Sequence, residues 1–234
     1  MDISIIIPVF NEENTVAVLY DKIIHLMDNL EESYEIIFIN DGSTDNSPDI
    51  LQKIKASDNK VILISFDRKH GKDSALDAGF RRSKGEKVIT IDSDLQIDTI
   101  DIVRILNELQ GNDVVVGCRI NRLERDGFIK FISSKIANYI RNLILNENFK
   151  DVGCSLQGYR RKCIDDLKLY AGFHVYLISF LHNAGYSIKE IPIKIMKRQY
   201  GKSKYNICNR LFKGLLALFV VRWLCRNRLK YNIR

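Results

Sequence analysis

ISIIIPVFNE, residues 3–12, is a run of β-branched apolar residues that breaks off in a polar cluster, as a strand buried on both faces of a parallel sheet does. EIIFINDGSTD, residues 35–45, repeats the pattern, and the 13–30 segment between them places Val16, Leu19, Ile23, Leu26 and Leu30 on one helical face. A second helix is expected after Ser47, where Ile50, Leu51 and Ile54 share a face and Pro48 suits a first turn. VILISF (61–66) and KVITI (87–91) are further strands, with a helix near 72–84 between them. This β-α-β-α-β-α-β order predicts an α/β fold with a mostly parallel, Rossmann-like sheet, right-handed crossovers, and ligands at the C-terminal strand ends.

The pattern changes after a helix near 98–110 and a strand at 113–117 (DVVVG). Residues 128–145 carry Phe128, Ile132, Ile136, Tyr139, Ile140 and Leu143 along one stripe, with Lys130, Lys135 and Arg141 off it. Residues 206–229 repeat the theme, with Leu211, Leu215, Leu218 and Trp223 flanked by Lys213, Arg222, Arg226 and Arg228. Both read as basic amphipathic interface helices, although such stripes also suit packing on a core or on a second subunit in a homo-oligomer. The expected organisation is a catalytic domain over 1–205, split into halves 1–113 and 114–205, and a membrane-proximal helix with a basic tail over 206–234.

Four strand exits carry chemistry. Asp92-Ser93-Asp94 follows the fourth strand, where two carboxylates in a loop can reach one hard cation, Mg²⁺ or Mn²⁺, and the diphosphate it bridges; Gln96 can add an amide oxygen. A lone DxD is more often a helix or turn cap, and only its place beyond the strand argues otherwise. Pro8-Val9-Phe10-Asn11-Glu12 and Asn40-Asp41-Gly42-Ser43-Thr44-Asp45 should lie side by side, so that Asp41 can accept a base N–H and Glu12 can meet ribose hydroxyls. NDGST is equally an ordinary strand-to-helix turn. Asp67-Arg68-Lys69-His70-Gly71-Lys72 suits a nucleotide diphosphate or a solvated charge run. Gly117-Cys118-Arg119 and the 198–205 segment RQYGKSKY offer fixed cations to a diphosphate or an anionic acceptor.

The charge is unevenly spread: residues 1–113 hold 12 Lys/Arg against 22 Asp/Glu and residues 114–234 hold 24 against 7, giving −10 and +17. So positive a half must face phosphate, nucleic acid or an acidic leaflet. No zinc spacing, RNP-like aromatic signature or basic recognition helix supports nucleic acid. Five cysteines without a CxxC pair argue against a disulfide framework and for a reducing compartment. MDISIIIPVF has no basic n-region, and the apolar run from Gly214 to Val221 is too short to span a bilayer.

Taken in order, IIIPVFNEENTV, EIIFINDGSTDNS, RKHGKDSALDAGF, VITIDSDLQ, DVVVGCR, DVGCSLQGYRR and RQYGKSKY resemble the family 2 glycosyltransferases, within them the dolichyl-phosphate mannose synthase-like group that glycosylates polyprenyl phosphates. DVGCSLQGYRR is similar to the bacterial undecaprenyl-phosphate branch, and the resemblance covers about residues 3–210. It implies a GT-A fold and places Pro8, Phe10, Glu12 and Asp41 at nucleoside-binding positions. Asp92, Asp94 and Gln96 match the metal and diphosphate motif. Arg119, Ser134, Arg198 and Lys204 match positions that bind acceptor phosphate and donor diphosphate, and Lys130 stands where the group has a second arginine.

The resemblance implies inversion by a single displacement. A phosphate monoester acceptor is ionised at neutral pH and needs no strong base, whereas a saccharide or protein hydroxyl needs a carboxylate. Asp151 is an isolated candidate for that base, which keeps a hydroxyl acceptor in cell-surface polysaccharide synthesis as the alternative. The expected partners are a nucleotide sugar, UDP- before GDP-, a polyprenyl phosphate and an anionic membrane surface, with the protein peripheral on the cytoplasmic face.

Overall fold

A computed structural model describes residues 1–121, 128–167, 169–196 and 208–227, without the side chains of 128–131 and 208–216. The amino-terminal half follows the expected alternation. Strands β1 (Ile3–Val9), β2 (Tyr34–Asn40), β3 (Val61–Ser65) and β4 (Lys87–Thr90) are linked by helices α1 (Val16–Met27), α2 (Ser47–Ser57) and α3 (Lys72–Arg82). α4 (Ile100–Glu108) and β5 (Val114–Arg119) follow. Then come α5 (Phe128–Leu145), β6 (Gln157–Arg160), α6 (Arg161–Asp165), a 3₁₀ turn at His174–Tyr176, α7 (Leu177–Asn183), β7 (Ile188–Ile193) and α8 (Cys208–Arg226).

Among the described residues these strands form one seven-stranded sheet in the order β3-β2-β1-β4-β6-β5-β7. β1 pairs in parallel with β2 and β4, β2 with β3, and β5 with β7, while β6 runs antiparallel to β4 and to β5. The first four strands read as continuous apolar runs because both faces are covered. Ile3, Ile5 and Ile7 of β1, with Ile36 and Phe38 of β2, pack under α1, α2 and α4; Ile6, Ile37 and Ile39 turn to the other face, under α3 and α7. Side chains alternate along a strand, so a purely apolar strand needs two apolar roofs.

Neither β6 nor β7 was legible. QGYR is four residues long without alternation, and IKEIPI carries Lys189 and Glu190 between its apolar positions. β6 is recognisable only from its packing. An added Cβ at Gly158 would fall 2.2 Å from Ile105 on α4 and 3.1 Å from Ile89 on β4. Tyr159 points to the opposite face, fully buried and edge-on to Phe80 at 5.7 Å between ring centroids.

α5 and α8 pack on each other around Leu145, Leu218, Val221 and Cys225, with Tyr176 beneath them. Each leaves apolar residues outside that contact: Ile136, Tyr139 and Leu143 on α5, and Phe219, Val220 and Trp223 on α8 are exposed, Tyr139 and Leu143 to 69%. Among the described residues no helix is long and apolar enough to cross a membrane.

Gly158→Ala is expected to lower stability by about 2 kcal/mol, because a methyl group there must displace α4 side chains in a close-packed layer. Urea unfolding checks this. A change below about 0.5 kcal/mol would mean that α4 does not sit against β6.

Candidate active site

The exits of β1, β2 and β3 are level in register, Val9 pairing with Asn40 and Asn40 with Ser65, while β4 ends opposite Ile6 and its exit runs on beside β1. Short bonds then knit the loops together. Asp41 N donates to Val9 O at 2.8 Å, Phe66 N to Asn40 O at 2.9 Å, and the Ser93 hydroxyl to Pro8 O at 3.1 Å. The β1 and β2 exits do lie side by side. Asn11, at φ 56°, exchanges bonds with Ser43 and Thr44, and Glu12 N donates to the Ser47 hydroxyl at 2.9 Å.

The side chains at these exits already hold the loops. Asp41 is buried and its carboxylate accepts the N–H groups of His70 (2.6 Å) and Gly71 (2.9 Å), which fixes the turn after β3. Glu12 accepts the Thr15 hydroxyl at 3.0 Å at the start of α1. The Lys69 ammonium lies 4.0 Å from the centroid of the Phe10 ring, a cation–π contact.

Beyond β4, the chain turns sharply at Leu95, whose φ of 56° is left-handed without a glycine. The turn lets Gln96 N donate to the Asp94 carboxylate at 3.2 Å, and Met196 N donates to Gln96 O at 2.8 Å. Asp92, Asp94, Gln96 and Arg119 line one cleft with Gly153, Cys154 and Ser155. Its volume of about 80 Å³ suits an ion with its waters or one phosphate group.

Two ion pairs flank this cleft. The Lys72 ammonium meets the Asp92 carboxylate at 2.5 Å. Burial works to raise the Asp92 carboxyl, but Lys72, the Ser155 hydroxyl and His174 hold it below the usual carboxylate range. Lys72 was legible only as part of a charged run; its target lies 20 residues away. Asp73, beside it, accepts Gly172 N (3.0 Å) and His174 N (2.7 Å), so the turn before α7 is tied to the start of α3.

Arg119 closes the other side. Its Nε and Nη2 donate to the two oxygens of Asp151 at 2.5 and 2.7 Å, with side-chain exposures of 17% and 4%. Arg119 N and Gly153 N also donate to that carboxylate, each at 3.2 Å. Asp151 is therefore placed to orient Arg119, with four donors on a group proposed from sequence as a base. Burial pushes the Cys154 thiol up to about 12, so it stands in the wall as a neutral group.

The structure thus brings Asp92, Asp94, Gln96, Arg119 and Asp151 together. Ser134 is half-buried on α5 and is not among the residues lining the cleft. The Lys130 side chain, Arg198 and Lys204 lie outside the described residues. Asp92, Asp94 and the Gln96 amide form a hard-oxygen donor set, and no cluster of three or more His, Cys, Asp or Glu groups fit to hold a metal ion occurs among the described residues. Two carboxylates and an amide oxygen suit a cation such as Mg²⁺ or Mn²⁺, which takes one or two carboxylates and completes its shell with water and phosphate.

The model of "Glycosyl transferase family 2" matches residues 4–168, from β1 through β6. The chain belongs to this family. It is 34% identical over 205 residues to the undecaprenyl-phosphate 4-deoxy-4-formamido-L-arabinose transferase of Proteus mirabilis, covering 87% of this chain and 63% of that protein. The dodecaprenyl-phosphate galacturonate synthase of Rhizobium johnstonii is 32% identical over 232 residues, 97% of this chain and 68% of that one. The chain thus spans about two thirds of the length of these relatives. Among solved structures, glucosyl-3-phosphoglycerate synthase from Mycobacterium tuberculosis, in complex with Mn²⁺ and UDP-glucose, superposes with a TM-score of 0.67 at 18% identity, covering 94% of this chain and 78% of that one. This likeness establishes the shared fold.

Arg119→Ala is expected to destabilise the protein by about 3 kcal/mol, since it strands a buried carboxylate. Adding Asp151→Ala to that variant should restore part of the loss. Denaturant titration of the two single variants and the double variant checks this, and additive losses would show that the pair is not coupled.

Proposed function

We propose that this chain carries the catalytic part of an inverting glycosyltransferase that moves a sugar from a nucleotide-sugar donor, a UDP-sugar before a GDP-sugar, to a polyprenyl phosphate at the cytoplasmic face of a membrane. One observation carries the reading: Arg119 shares the cleft of Asp92 and Asp94, and the nearby carboxylate that could serve as a base, Asp151, is occupied by that arginine. A cation fixed beside the metal-type carboxylates suits an acceptor that arrives already ionised. The names of the similar bacterial proteins, both polyprenyl-phosphate enzymes, support the same acceptor.

In this reading Phe10 stacks on the base once Lys69 moves aside, Asp41 uses its remaining lone pairs for a base N–H, Pro8 shapes the edge of the pocket, and Glu12 meets the ribose. Asp92, Asp94 and Gln96 hold a divalent ion, Mg²⁺ or Mn²⁺. Bound there, such an ion supplies charge neutralisation for the departing diphosphate. Lys72, already against Asp92, adds positive charge on that side. Arg119 holds the acceptor phosphate with its oxygen facing the anomeric carbon, and Asp151 keeps the guanidinium in one orientation. Lys130 and Ser134 are proposed to extend the acceptor-phosphate site, and Arg198 and Lys204 to close on the donor diphosphate.

Membrane docking supports this chemistry, because a polyprenyl chain stays in the bilayer while its phosphate sits at the interface. The exposed apolar residues of α5 and α8 lie on the half of the chain that carries +17, and each Lys or Arg near an anionic leaflet adds about 1 kcal/mol. The 1–205 catalytic domain and the 206–234 membrane-proximal segment are proposed on this basis.

Radiolabelled nucleotide sugars screened with undecaprenyl phosphate and Mg²⁺ or Mn²⁺ should yield a lipid-linked sugar. Asp94→Ala should lower turnover about a hundredfold or more; full activity in that variant would overturn the metal assignment. In flotation assays the protein should rise with anionic liposomes at low salt and be released at high salt. Recovery in the bottom fraction at low salt would refute surface docking.

A further inference from the structure

We propose that Glu190 and Asn142 are positioning residues for Arg119, acting through the 147–151 segment that delivers Asp151 to it. The proposal rests on the reading of Arg119 as the acceptor-phosphate arginine. Asp151 fixes the guanidinium, so whatever fixes Asp151 sets the placement of the acceptor phosphate.

Two elements grip that segment from opposite sides. Glu190 of β7 accepts the N–H groups of Lys150 (2.9 and 3.0 Å to its two oxygens) and Asp151 (2.9 Å). β7 pairs in parallel with β5, Glu190 opposite Val116, three residues before Arg119. Both partners of the Arg119–Asp151 pair are therefore referenced to one two-stranded ladder. One carboxylate oxygen accepts both N–H groups, each at 2.9 Å, so a neutral side chain of the same reach with a single acceptor oxygen can still hold the segment, whereas alanine cannot.

The second grip comes from α5. Asn142 Nδ2 donates to Phe149 O at 2.9 Å, Arg141 Nη2 to the same oxygen at 3.2 Å, and Asn138 Nδ2 to Lys150 O at 2.7 Å. Glu147 N returns a bond to Asn142 O at 2.9 Å, and the Ser179 hydroxyl donates to the Glu147 carboxylate at 2.9 Å. Asn138, Arg141 and Asn142 occupy one flank of α5, whereas the exposed Ile136, Tyr139 and Leu143 occupy the opposite flank. A shift of α5 thus pulls on the carbonyls of Phe149 and Lys150 and, one residue later, on Asp151.

Steady-state assays with the nucleotide sugar and undecaprenyl phosphate separate positioning from folding. Glu190→Ala and Asn142→Ala should raise the apparent KM for the lipid phosphate about tenfold, leave the donor KM within about twofold, and Glu190→Gln should recover most of the loss. A purely structural role would instead lower kcat with both KM values unchanged. A second readout needs no substrate: the Arg119 Nε–H resonance in ¹⁵N-edited NMR, assigned with Arg119→Lys, should shift in both alanine variants and return in Glu190→Gln. A wild-type resonance in both alanine variants, or a donor KM that rises in step with the acceptor KM, overturns the proposal. Should the resonance move while the wild-type protein glycosylates no polyprenyl phosphate, the acceptor reading falls and the positioning of Arg119 stands.

Discussion

Paired opposite charges hold the cleft together: Lys72 against Asp92 beyond β4, and Arg119 against Asp151 at the end of β5. Each pair joins segments far apart in the chain, Asp92 lying just past β4 and Arg119 being the last residue of β5. Desolvating an ion costs several kcal/mol, so such a pair persists only when further bonds complete it. Asp151 meets that condition with two backbone N–H donors besides the guanidinium, and Asp92 with the Ser155 hydroxyl. These partners hold the charged side chains of the cleft in fixed orientations before any ligand arrives.

The parallel half of the sheet places these groups by its geometry. β1, β2 and β4 run in the same direction, β1 and β2 ending level and β4 three residues earlier opposite Ile6, so their polar exits share one edge of the sheet. The carboxyl ends of parallel strands are where ligands bind in open α/β sheets. In this protein the rule is carried out by small contacts such as Ser93 with Pro8 O and Asp41 N with Val9 O, which lock neighbouring exits to each other.

What could be read from sequence was whatever has a local period or a motif. The four amino-terminal strands, the α2 and α3 helices and the DSD loop all announce themselves within ten or so residues, and each appears in the structure within a few residues of its expected bounds. α1 is shorter than the 13–30 segment, because residues 28–33 turn before β2. The second half was less legible. β6 has four residues and takes its identity from strand neighbours more than 40 positions away, and the polar Lys189 and Glu190 disguise β7. The same limit applied to the site: Asp92, Asp94 and Arg119 could be chosen from their strand exits, whereas the partner of each charge depended on contacts 20 to 32 residues apart.

β6 also shows how a short strand can be kept in place. Gly158 faces α4, where no side chain fits, and Tyr159 faces α3, where a large ring is needed. A slip of one residue would swing the ring into the filled side and leave a hole on the other, so misalignment is penalised twice. The glycine and tyrosine together work as a key that enters its lock one way round, and with it the height at which the 151–156 loop leaves the sheet is set.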